Sequence, residues 1–274
     1  MNNLLSVFFS SIGKKVVMAL TGLFLVTFLI VHLSGNLILL SGDELAFNSY
    51  TRFMTTNPLI KASEIILLLG FLFHILYAFR LTNSNNTARP VKYAYKDNSA
   101  NSSWFSRNMF LSGSIVFIFL IVHLVMFWGQ YHYGNGSPQS IQHIAENNLK
   151  VTDIQNDNAT KALEEAHVHK YLTEDQAKDL AATGVTELNA VSMYAVVEES
   201  FSQWWIVLFY VVAMILIAFH LNHGFQSAFR SMGWVHPKYM PIIRATGTLI
   251  AIAIPAGFAI IPILFLYMSA TVVA

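Results

Sequence analysis

Cysteine is absent from all 274 residues. That excludes disulfides, thiolate-bound metals or clusters, and the C-x-x-C-H motif that attaches haem covalently. An iron–sulfur centre working with this chain must sit on another polypeptide. Charge is scarce as well. Asp, Glu, Lys and Arg make up 11%, against about 25% in soluble proteins. Acid is scarcest inside the apolar stretches, where Glu64 stands alone, although intramembrane proton sites usually enlist Asp or Glu.

Apolar residues fill the space, at 55% of the chain and a mean hydropathy of +0.51. Five stretches, Val16–Leu40, Ser63–Phe79, Met109–Trp128, Trp204–Ala228 and Ile242–Tyr267, are long enough for about 30 Å of hydrocarbon. The expected fold is all-α: a polytopic five-helix transmembrane bundle. The first stretch is too long for an apolar signal core and is expected to be retained. Three regions follow: spans I–III in 1–128, an acidic extracytoplasmic loop or cap in 129–203, and spans IV–V in 204–274. The loop from Gly129 to Ser202 holds eleven acids, four lysines and no arginine. Its Ala159–Leu172 and Thr173–Ala182 stretches have helical patterning, and its His132, His143, His167 and His169 are expected to be solvated.

Charge sets the orientation. The N-terminus and the loops Arg80–Arg107 and Arg230–Arg244 hold ten basic residues against Asp97, net +9, and the other side sums to −8. Cytoplasmic loops carry the Lys/Arg excess. The N-terminus is therefore expected inside and the C-terminus outside, in a bacterial cytoplasmic membrane. All five tryptophans fall at expected span ends, as in an interfacial belt.

The hexapeptide FLIVHL occurs twice, at Phe28–Leu33 and Phe119–Leu124. Thr21-Gly22 precede His32 by 11 and 10 residues, and Ser112-Gly113 precede His123 by the same offsets. The second and fourth stretches share an Ala-Phe-Arg exit, in HILYAFR and HLNHGFQSAFR. Four spans thus carry a histidine past their middle. Because alternate spans run in opposite directions, His32 and His123 fall toward the outer face. His74 and His220, or His223, fall toward the inner face.

Intramembrane ionisable groups are costly and mark functional sites. A tetrahedral zinc site would gather its ligands at one depth. Two pairs of neutral imidazoles at two depths instead suit the axial positions of two non-covalently held haems. Gly70 and Gly224 leave room one turn from His74 and His220. Thr21 and Ser112 lie about 16 Å along their helices from His32 and His123, at the inner level. They can line the inner haem, bond its ligands or back-bond to their own helix. Arg80, Arg107 and Arg230 at the inner boundary can pair with haem propionates or snorkel to headgroups. Ser34, Asn36, Glu44, Asn48 and Tyr50, in the polar turn after the first span, are candidates for a quinone site. Spacing from the exit arginine slightly favours His223 over His220.

The stretches VHLSGNL, FHILYAFR, FLIVHL and FHLNHGFQSAFRSMGW resemble the cytochrome b membrane anchor of succinate dehydrogenase and fumarate reductase, in its five-span, di-haem type. The likeness covers the chain apart from Gly129–Ser202. It implies His32 and His123 as ligands of the distal haem b and His74 and His220 as ligands of the proximal haem b. It also implies a flavoprotein (FAD) subunit and an iron–sulfur subunit on the cytoplasmic face, within a complex that can oligomerise. Electrons would pass from the iron–sulfur subunit through the haems to a quinone, commonly menaquinone. An anchor for another respiratory dehydrogenase, or a proton-coupled transporter using the histidines, are the alternative readings.

Overall fold

The computed structural model describes residues 10–88, 104–133 and 192–272. The patterned stretches of the acidic loop, with His143, His167 and His169, lie outside the described residues. Among those described, every regular element is helical and none is a strand. Five helices are long and apolar enough to cross a membrane: Ser11–Ser41, Pro58–Thr87, Met109–Tyr133, Trp204–Ser231 and Met240–Thr271. Each is longer than its apolar stretch. Hydropathy registers only the hydrocarbon-compatible part, while the helix continues into polar ends such as Arg80–Thr87.

Local chemistry sets the helix ends. Helix α1, Ser11–Asn36, starts where the Ser10 hydroxyl accepts from the Gly13 amide at 2.9 Å, one of the amides a helix start leaves unpaired. A 3-10 turn, Leu37–Ser41, follows it. Gly42, at φ 71°, then reverses the chain in a region open to glycine at little cost. Asp43 caps α2, Glu44–Thr56, by accepting from the Ala46 amide at 2.9 Å. Asn57 caps α3, Pro58–Thr87, whose first residue is proline, where no amide hydrogen is missed. The turn expected after the first span is thus largely a helix.

A short α4, Trp104–Arg107, leads into α5, Met109–His123. The π-helical turn Leu124–Gly129 and α6, Gln130–Tyr133, extend it. Ser192 caps α7, Met193–Phe201, and α8 spans Trp204–Ser231. Gly233, at φ 80°, stops α8, and the Trp234 amide donates back to the Phe229 carbonyl at 3.0 Å, the usual left-handed helix terminus. Helix α9, Met240–Val272, runs through both Pro255 and Pro262.

The described chain forms two compact units. The first holds 10–37, 57–88, 104–119 and 208–262. In it α1 packs against α3. Val26, Leu221, Ala251 and Ile254 form a core with Leu29, Leu33, Ile217, Phe225 and Phe258 around it. Close helix approach there uses glycine: a Cβ on Gly247 would come within 2.8 Å of the Phe225 ring, and one on Gly257 within 2.8 Å of Leu33. The second unit holds 38–56, 120–133, 192–207 and 263–272. There α7 packs against α2 and the π-helical turn, with Phe127 and Phe201 rings 5.8 Å apart and Tyr194 and Phe265 rings 5.5 Å apart.

Large apolar side chains such as Ile65, Leu68, Leu249 and Ile252 remain exposed along the long helices. Such surface needs a lipid cover, as water would disfavour it.

Candidate histidine site

His74 on α3 and His220 on α8 meet in the first unit. Their ring centroids are 6.4 Å apart and their planes cross at 68°. Each ring is held from behind by a dipeptide of another helix. Thr21 Oγ1 on α1 lies 3.2 Å from His74 Nδ1, and Ser112 Oγ on α5 lies 3.4 Å from His220 Nδ1. A Cβ built on Gly22 would sit 3.4 Å from His74 Cε1, and one on Gly113 would sit 3.3 Å from His220 Cε1. Both rings therefore lie against bare backbone.

The hydroxyl geometry favours one tautomer of each ring. Thr21 Oγ1 donates its single proton to the Val17 or Met18 carbonyl, at 2.8 and 3.2 Å. Ser112 Oγ donates to the Met109 carbonyl at 3.0 Å. A hydroxyl whose proton is committed faces a ring nitrogen only as an acceptor. With those protons on the carbonyls, Nδ1 of each histidine would carry the hydrogen and Nε2 the lone pair. Neither Nε2 is hydrogen-bonded among the described residues.

Such a pair of rings could serve as metal ligands. A ligating imidazole usually engages its other nitrogen in a hydrogen bond that fixes its tautomer. Two imidazoles on opposite sides of one ion, at about 2.0–2.1 Å per bond, would have centroids about 6.3 Å apart. Among the described residues no group of three or more His, Asp or Glu could hold a bare ion. A pair of imidazoles would suit instead a metal that arrives with its other donors, as in a macrocycle. The face beside Gly224 is open, with no atom within 4 Å of a Cβ built there. The face beside Gly70 is not: the Phe24 ring takes it, 2.9 Å from such a Cβ.

No family model, curated protein or solved structure matches the chain.

The other expected residues are placed as follows. His223 is half-buried one turn from His220, and no hydrogen bond reaches it among the described residues. His32, also in the first unit, stacks on Phe28 at 5.2 Å and lies 5.4 Å from Phe258. The Asn36 side-chain nitrogen is 2.8 Å from the His32 carbonyl and 3.3 Å from its Nδ1. His123 belongs to the second unit, at the start of the π-helical turn, with its ring 5.2 Å from Phe127. Arg80, Arg107 and Arg230 are exposed near helix ends, and Arg80 lies 5.9 Å over the Tyr77 ring.

Of the quinone candidates, Ser34 back-bonds to Ile30 at 2.8 Å, and Asn36 serves His32. Glu44 and Asn48, in the second unit, converge on a residue the sequence did not single out. Ser192 is fully buried; its hydroxyl donates to Glu44 Oε1 at 2.8 Å and accepts from Asn48 Nδ2 at 3.0 Å. Asn48 Oδ1 accepts from the Tyr194 amide at 3.1 Å. Tyr50 is half-buried on α2, and burial pushes its hydroxyl above the ordinary value. Nothing in the sequence pairs residues 44 and 192 across so long a separation, so Ser192 had no signal there beyond its suitability as a cap.

Proposed function

We propose that the chain is the di-haem cytochrome b anchor of a succinate:quinone oxidoreductase. The observation that carries this reading is the His74–His220 pair, with matched hydroxyl contacts at Nδ1 and a ring spacing compatible with one shared iron. His74 and His220 hold the proximal haem through Nε2, and Thr21 and Ser112 keep both rings in place. Bound there, haem supplies a one-electron ferric/ferrous couple.

His32 and His123 are proposed as ligands of the distal haem on the strength of the repeated FLIVHL stretch. Arg80, Arg107 and Arg230 are proposed to face the propionates or the lipid headgroups. Glu44, with Asn48 and Tyr50, is the protonatable group proposed for the quinone end; a quinone needs both donors and a proton source. Ser34 and Asn36 are the further candidates. The charge asymmetry supports an N-terminus in the cytoplasm, where the flavoprotein and iron–sulfur subunits would dock, and menaquinone is the proposed acceptor.

A reduced-minus-oxidised spectrum with a pyridine haemochrome count on the purified complex tests this. Two b haems per chain, with one lost in H74A, are expected. Absence of haem overturns the reading.

A further inference from the structure

We infer that the Thr21-Gly22 and Ser112-Gly113 dipeptides are seats that fix the tautomer and position of the neighbouring helices' histidines, and so set the potential of one haem. This rests on the haem reading above. The repeated sequence unit is then a composite. Each copy carries a histidine near one end, but its Thr/Ser-Gly dipeptide serves the histidine of a different helix: α1 seats His74 of α3, and α5 seats His220 of α8.

Three features distinguish a seat from incidental contact. Both hydroxyls have committed their proton to a carbonyl one turn back, so both hold Nδ1–H and leave the Nε2 lone pair to a metal. Both glycines leave the imidazole Cε1 edge at contact distance from where a side chain would begin. Both arrangements occur at matching positions of two helices, and they select His220: His223 has no hydroxyl partner among the described residues. Spacing along α8 alone does not make that choice.

The chemical consequence has a definite sign. Hydrogen-bond donation from Nδ1–H makes the ring a stronger electron donor. A stronger donor favours ferric iron, so the seats hold the potential down. Replacing Thr21 by the isosteric valine removes the acceptor and raises the potential. The Thr21 bond is the shorter of the two, so Thr21→Val should act more strongly than Ser112→Ala. Because both seats serve the same pair of ligands, both changes act on the same haem.

The test is an optical redox titration of the purified complex, with low-spin ferric EPR spectra, for T21V, T21S, S112A and T27V. Thr27 bonds its own helix carbonyl at 3.1 Å, so T27V removes a helix hydroxyl of the same kind away from the histidines. The expected result is a T21V potential raised at one haem only. Its ferric-to-ferrous ratio should fall by up to about tenfold, equivalent to up to about 59 mV for one electron. S112A should shift the same haem by less, while T21S and T27V keep both potentials. Loss of that haem in T21V with retention in T21S supports the inference equally.

Full haem content with unchanged potentials and spectra in T21V overturns it, as do shifts at different haems in T21V and S112A. Absence of haem from the unsubstituted complex is a separate outcome, because it overturns the underlying haem reading itself.

Discussion

Replacing Ser192 by alanine should unfasten α7 from α2. The Ser192 hydroxyl uses all its capacity: it donates to Glu44 at 2.8 Å and accepts from Asn48 at 3.0 Å and from the Ala195 amide at 3.1 Å. Losing the helix cap costs about 1 kcal/mol. Losing a hydrogen bond to a carboxylate costs about 1.5–3 kcal/mol. Asn48 is 6% exposed, so water has little access to replace the missing hydroxyl. The sum for local opening is about 2.5–4 kcal/mol, and at about 1.4 kcal/mol per tenfold the opening constant should rise by about two orders of magnitude or more.

Hydrogen exchange followed by mass spectrometry reads this directly, because α7 lies outside the long apolar helices. Peptides covering Met193–Phe201 should exchange about a hundredfold faster in S192A, while α8 stays unchanged. Ser202→Ala is the control, since that exposed hydroxyl bonds only the Glu199 carbonyl at 2.8 Å. It should stay within about 0.5 kcal/mol, as surface changes do. An acceleration below threefold in S192A would show that the network does not fasten these helices.

On the proposed di-haem reading, His220→Ala should remove one haem and His223→Ala neither, read from the haemochrome count. Gly70→Ala places a methyl 2.9 Å from the Phe24 ring and should destabilise by about 1–3 kcal/mol; a lower Tm, recovered by Phe24→Leu, would establish the cause. Burial, and then the carboxylates of Glu198 and Glu44, hold the Tyr194 hydroxyl above its ordinary 10.0. The folded protein therefore keeps a proton that the unfolded chain releases, and the stability this brings is lost as pH rises above 10. Y194F should flatten the alkaline limb of a Tm-versus-pH curve. Electrons carried from a negative inside to a positive outside gain about 2.3 kcal/mol each per 100 mV. If the chain carries succinate–menaquinone electron transfer as proposed, that activity in sealed vesicles should fall when the potential is collapsed, and indifference would refute the coupling.

Sequence alone carried the class of fold, because length and apolarity are sufficient to mark a spanning helix. It carried the His74 site partly. The repeat was legible, but which side chains its Thr-Gly and Ser-Gly served depends on helix rotation, which hydropathy does not encode. The α8 choice shows this most clearly. Distance to the exit arginine pointed to His223, whereas hydroxyl contact singles out His220. Gly70 shows the reverse: a small residue near a histidine suggested room for a ligand, and the room is taken by Phe24. Helix α2 was obscured because polar residues between two apolar runs resemble a turn until Asp43 is seen capping them.

The π-helical turn after His123 has a consequence for chain length. It holds one residue more than the ordinary helical repeat accommodates, and Gly129 closes it with its α-carbon facing the Leu124 carbonyl, 3.3 Å from a would-be Cβ. Deleting a single residue from Leu124–Gly129 would let the helix relax to the ordinary repeat. The extra residue is absorbed within the turn, so everything beyond would keep its rotation relative to His123. Tyr131 would still face Thr55, whose hydroxyl it meets at 2.6 Å. One residue can therefore be added to or removed from this turn while the Thr–Tyr pair beyond it stays in place.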